Sequence, residues 1–165
     1  MRRLVKVLFA TACAAYAPAS LAQPPVPAMS KASSDLTASY LRTWSTPQAA
    51  SPAYVASVYA PRIRFYGRVL DRNGLVDEKR RFARRWPVRR YATRPGTLRV
   101  ACDGRARLCR VSSVLDWQAQ NPARRAASRG SSSFEQRFDF SAARPAVVHE
   151  GGRVLRSQAG AARQG

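Results

Sequence analysis

The spacing of apolar residues changes along the chain. Before residue 87 they recur mostly three or four apart, and beyond residue 88 they alternate with polar ones. Helices are therefore predicted first and strands later. Ser33, Ser34 and Asp35 are placed to cap a helix whose Leu36, Tyr40, Leu41 and Trp44 share one face. Residues 45–50 break that pattern. Ser51 followed by Pro52 marks a second helix start, with Val55, Val58 and Tyr59 as its stripe and Pro61 as its stop. Residues 62–67 alternate as a strand, and the run Asp71, Arg72, Asn73, Gly74 predicts a turn. A third helix is predicted over 75–86, with Leu75, Phe82 and Trp86 inward and Pro87 closing it. Strands are predicted over 89–93, 98–102, 109–117, 131–140 and 146–155, with residues 121–130 as a hairpin connection. Phe134, Phe138 and Phe140 share one strand face; Glu135, Arg137 and Asp139 share the other. This order implies an α+β domain, about three N-terminal helices packed on a curved antiparallel sheet.

The two ends read differently from the middle. Arg2, Arg3 and Lys6 precede a mostly apolar run, and Ser20, Leu21 and Ala22 offer small residues at a cleavage position. Residues 1–22 are thus expected to be a secretory signal peptide. Pro18 interrupts the run, which is shorter than a membrane span needs. Residues 23–34 are expected to be a flexible leader, 35–157 the folded domain, and 158–165 a disordered tail. The chain carries a net charge of +20. Signal removal takes three cations and no acid, so the mature charge is about +17. A periplasmic or secreted location is expected, with no transmembrane segment after cleavage.

Cys13 leaves with the signal, so Cys102 and Cys109 are the remaining thiols. In an exported chain an even pair reads as a disulfide. Alternation on both sides supports a hairpin in which Cys102 lies opposite Cys109 and Val100 opposite Val111.

Residues 40–45 (Y-L-R-T-W-S), 54–67 (Y-V-A-S-V-Y-A-P-R-I-R-F-Y-G) and 78–91 (E-K-R-R-F-A-R-R-W-P-V-R-R-Y) resemble the nuclear-transport-factor-2-like (NTF2-like, or SnoaL-like) superfamily. The resemblance implies a cone, in which a bent sheet wraps the helices and leaves a pocket at its wide end. That superfamily holds dehydratases, isomerases and cyclases beside non-catalytic binding domains, so it implies architecture more than activity. No catalytic set carries over residue by residue.

Candidate chemistry is sparse. Asp116, between Leu115 and Trp117, is a proton carrier if it lines the cone, and otherwise an ion-pair partner for one of many arginines. Asp77 with Glu78 suits the start of the third helix. His149 and Glu150 are adjacent in a strand and so face opposite ways. Tyr66 and His149 complete the catalytic candidates; Tyr59, Tyr66, Trp86 and Trp117 are the expected pocket residues. No metal-ligand spacing, phosphate loop or serine elbow is present, and no metal or cofactor is expected. The strongest signal is positive charge: Arg80, Arg81, Arg84, Arg85, Arg89 and Arg90 form a candidate anion-binding face. A compositional preference for arginine over lysine produces the same run without a selected site. The sequence favours a non-catalytic, exported binding or accessory domain that engages an anionic envelope polymer or a protein, with nucleic acid not the expected partner. The alternative is a small cofactor-free lyase or isomerase with a cone-lining carboxylate.

Overall fold

The computed structural model describes residues 24–161. The expected signal segment, 1–22, lies outside them. The first helix, α1 (Val26–Trp44), begins well before the expected cap. Pro27 falls in its first turn, where a missing N–H costs no hydrogen bond. Residues 26–34 are therefore helical and not a flexible leader. Ser33 does not cap: its hydroxyl donates back to the Met29 carbonyl at 2.9 Å, deep in the helix. Met29, Ser33, Thr37, Tyr40, Leu41 and Trp44 form the buried stripe, whereas Leu36 is 36% exposed. Ser33 and Thr37, the two small residues of this face, let the middle of the helix lie close to the sheet.

The second helix, α2 (Pro52–Val58), starts as expected, with the Ser51 hydroxyl accepting from the Tyr54 N–H at 3.2 Å. Strands β1 (Tyr59–Phe65) and β2 (Arg68–Asp71) follow as a hairpin. Its turn is Tyr66-Gly67, both with positive φ (46° and 84°), the conformation that two-residue hairpin loops require. The expected turn at 71–74 is instead a helix start. The Asp71 carboxylate accepts from the Gly74 N–H at 2.8 Å and caps α3 (Arg72–Arg85). On α3 the buried stripe is Leu75, Val76 and Lys79, while Phe82 is 37% exposed.

The remaining strands are β3 (Val88–Thr93), β4 (Arg99–Asp103), β5 (Leu108–Asn121), β6 (Ala126–Asp139), β7 (Ala146–Gly151) and β8 (Val154–Ala161). Residues 158–161 thus belong to a strand and not to a disordered tail. All eight strands form one sheet, ordered β2-β1-β7-β6-β5-β3, with β4 also on β5 and β8 also on β6. The β1–β7 pair is parallel, so the sheet is mixed and not purely antiparallel. The long β5–β6 ladder runs from Leu108↔Asp139 to Asn121↔Ala126. Each long strand serves two shorter partners in succession, β3 and β4 on one edge and β7 and β8 on the other. That division, with register shifts in β7 and β8, lets the sheet bend round the helices.

The Cys102–Cys109 bridge is present, and the register pairs Cys102↔Cys109 and Val100↔Val111 as the alternation predicts. Met29, Leu41, Ile63, Leu75, Val111, Leu115, Phe134, Phe138 and Val147 make the core between helices and sheet. Among the described residues no helix is long and apolar enough to cross a membrane.

Candidate functional site

Two features stand out: a charged cluster inside the cone and an arginine-rich outer sheet face. The interior cluster joins α1, α3, β1, β6 and β7. Lys79 and Glu150 are 1% and 3% exposed, and lie 3.9 Å apart. The Tyr40 hydroxyl stands between them. It accepts from Lys79 Nζ at 3.1 Å and donates to Glu150 Oε1 at 2.7 Å. The other carboxylate oxygen accepts from Tyr59 at 2.6 Å and from Gln136 Nε2 at 3.3 Å. Thr37 donates to Gln136 Oε1 at 3.3 Å and closes the chain. The ammonium also lies 4.2 Å from the Trp44 ring centroid, 5.0 Å from Tyr59, 5.1 Å from Tyr40 and 5.3 Å from Phe65. Such an aromatic box stabilises a desolvated cation.

Electrostatics follow the burial. Desolvation pushes the Lys79 ammonium below its ordinary value, opposed by Glu150. Burial, with Glu150 adding to it, holds the Tyr40 and Tyr59 hydroxyls far above the usual phenol range. A carboxylate with two phenols and an ammonium can move protons once a substrate reaches it. Here each buried side-chain polar atom among the described residues has a partner. The cluster is sealed and self-satisfied.

The sequence candidates are dispersed around this cluster. Tyr59 is wholly buried against Glu150 and not at a pocket mouth. Tyr66 sits on the exposed β1–β2 turn, 53% exposed. Trp86 ends α3, half-buried, and Trp117 faces inward from β5. Trp117 packs on Gly130, where a Cβ would lie 2.8 Å from Cζ2 of the indole and 2.1 Å from the Arg156 carbonyl oxygen. His149 faces out, 3.8 Å from Glu135, while its neighbour Glu150 faces in. Asp116 also faces out. Arg94 forks its carboxylate at 2.5 and 3.1 Å and holds its pKa below the usual range. Asp116 is thereby an ion-pair partner on the surface and not a cone-lining carboxylate.

Arg80, Arg84 and Arg85 lie exposed on α3, and Arg81 pairs with Glu78, which also meets Arg68. Asp77 is exposed in the middle of the helix and not at its start. Arg89 is not part of an exposed anion face. It is 5% exposed and donates to the carbonyls of Trp44, Thr46 and Trp86 at 2.8, 2.7 and 3.1 Å. It ties the end of α1, with its orphaned carbonyls, to the end of α3.

The outer sheet face carries the second feature. Arg110, Arg137 and His149 surround Glu135, with Arg110 and Arg137 at 2.6 and 2.9 Å. Burial raises the Glu135 pKa, but the two guanidiniums outweigh it and the carboxyl stays low. Beyond them, a groove of about 330 Å³ crosses β3, β5, β6 and β8. Arg90, Arg94, Arg129 and Arg156 line it.

No protein-family model matches the chain, and no curated protein matches it in sequence. Solved structures do match. An NTF2-like superfamily protein from Salmonella enterica serovar Typhimurium aligns with TM-score 0.67 at 8% identity, over 80% of this chain and 94% of that one. A scytalone dehydratase-like protein from Novosphingobium aromaticivorans aligns with TM-score 0.64 at 8% identity, over 78% and 85%. A hexachlorocyclohexane dehydrochlorinase, LinA-type3, from Novosphingobium barchaimii aligns with TM-score 0.63 at 10% identity, over 78% and 88%. The chain therefore has the NTF2-like fold. At these identities the likeness defines the fold alone, and the fold houses both enzymes and non-enzymes.

Proposed function

We propose that this chain is an exported, non-catalytic binding domain of the cell envelope or secreted space, engaging an anionic partner. The observation that carries this reading is the sealed interior: Lys79, Glu150, Tyr40, Tyr59 and Gln136 are at most 3% exposed and satisfy one another. The chemistry left open to a partner lies outside, where arginines greatly outnumber acids. The Cys102–Cys109 bridge suits an oxidising compartment. Binding driven by these arginines must weaken as salt rises. Titration against a soluble polyanion is expected to show affinity at low salt that falls steadily as salt is added. Absence of binding at low salt, or binding indifferent to salt, would contradict the reading.

A second reading is a cofactor-free lyase or isomerase. It is favoured by Glu150, a carboxylate facing the cone interior with two phenols and an ammonium around it. Neighbours of this fold include proteins described as a dehydratase and a dehydrochlorinase. This reading needs the cluster to open to a substrate. The stability of a Glu150→Gln variant separates the two.

A further inference from the structure

The geometry points to the groove across β3, β5, β6 and β8 as a binding site for a carboxylate-bearing polysaccharide chain, an inference that rests on the anion-binding reading above. The register places the groove residues in two neighbouring rows. One row is Ala92↔Asp116↔Ser131↔Arg156, and the next is Arg90↔Gln118↔Arg129. Arg94 closes the β3 end. Four guanidiniums thus face one carboxylate, Asp116, giving the lining a formal charge of +3. Among the described residues no acidic side chain pairs with Arg90 or Arg156. Retaining this excess on one face costs self-repulsion, which an anionic ligand relieves.

Four further observations choose the ligand. Arg90 on β3 and Arg156 on β8 are separated by three strand spacings, about 14 Å. A polymer laid across the strands meets both guanidiniums along its length. Asp116 shows how a carboxylate sits here, forked by a guanidinium at 2.5 and 3.1 Å. Gln118 and Ser131 supply neutral hydrogen-bonding groups for hydroxyls between the charges. Trp117 is the one aromatic residue lining the groove, and its indole packs on Gly130. A single ring held in this way is short of the succession of aromatic rings on which single-stranded nucleic acid stacks.

The test is calorimetric titration of the disulfide-intact protein with oligogalacturonate. Single-stranded DNA, vesicles of anionic phospholipid and neutral dextran serve as comparison ligands. The variants are Arg90→Gln with Arg156→Gln, and, on the opposite element, Arg80→Gln with Arg84→Gln. All four side chains are exposed, so both variants should fold, as circular dichroism will check. The expected result is wild-type binding to oligogalacturonate, weakened about tenfold or more in the groove variant and less than twofold in the helix variant. No affinity of wild type for any polyanion sinks the anion-binding reading itself. Affinity that survives in the groove variant but falls in the helix variant overturns only the site. Tighter binding of DNA or vesicles than of oligogalacturonate, lost in the groove variant, overturns the ligand class.

Discussion

Glu150→Gln is expected to destabilise the protein by about 3–5 kcal/mol, read as a lower urea midpoint at unchanged slope. The substitution keeps the shape but removes the charge opposite Lys79. That ammonium is 1% exposed and cannot reach water without opening the core. The rings of Trp44, Tyr40, Tyr59 and Phe65 soften the loss but do not replace the carboxylate. Lys79→Met in the same chain should return part of the lost stability, because the stranded charge is gone. A pH signature accompanies this. Burial sets the native Lys79 pKa below 10.5, its unfolded value. Between the two values the unfolded chain binds more protons, so stability rises with pH through that window. Removing Glu150 lowers the native value further and widens the window, so the alkaline rise should be larger in the variant. Catalytic charges behave in the opposite way, since replacing them commonly leaves stability unchanged or raises it. A Glu150→Gln protein as stable as wild type would therefore favour the lyase reading.

Arg89→Met is expected to cost about 2–4 kcal/mol by the same denaturation measurement. Three backbone carbonyls lose a charged donor at once, and two of them, from Trp44 and Thr46, belong to the end of α1 and its exit. Arg89→Lys should recover little, because one ammonium cannot reproduce the planar fork that reaches all three. The guanidinium also lies 4.7 Å from the Trp44 ring centroid, so packing is lost together with hydrogen bonds. Arg84→Gln, on the exposed side of α3, is the contrast and should stay within about 0.5 kcal/mol of wild type. Equal effects at the two positions would mean that Arg89 does not anchor α1.

Legibility in the sequence divided along physical lines. The Cys102–Cys109 hairpin could be read to the residue, because strict alternation on both strands and a short link leave one register that buries the sulfurs. The early helices and late strands were legible for the same reason. The start of α1 was not, because residues 26–34 look like a leader. Only the sheet's closeness explains why Ser33 and Thr37 can serve as buried positions. The true hairpin turn was hidden by Tyr66, a bulky residue at positive φ.

The interior pair is the least legible feature in the sequence. Lys79 and Glu150 belong to α3 and β7, and no local pattern joins them. A signal did exist. Lys79 stands four residues after Leu75 and three after Val76, on the apolar stripe, where a cation needs a buried partner. The outer arginines were also partly visible, since Arg110 on β5 and Arg129 and Arg137 on β6 occupy alternating outward positions. Their convergence needed the register that brings β3 and β8 alongside. The arginines of α3 are conspicuous because they are contiguous, but contiguity on a helix spreads side chains around it.

We propose that this cone works from its outside while its interior holds the fold together. Mapping backbone amide and tyrosine ring shifts by nuclear magnetic resonance during titration with oligogalacturonate tests it most directly. The account predicts shifts confined to Arg90, Asp116, Gln118, Arg129, Ser131 and their strand neighbours, with Tyr40 and Tyr59 unmoved. Shifts centred on Tyr40, Tyr59 and Glu150, with the groove silent, would contradict it.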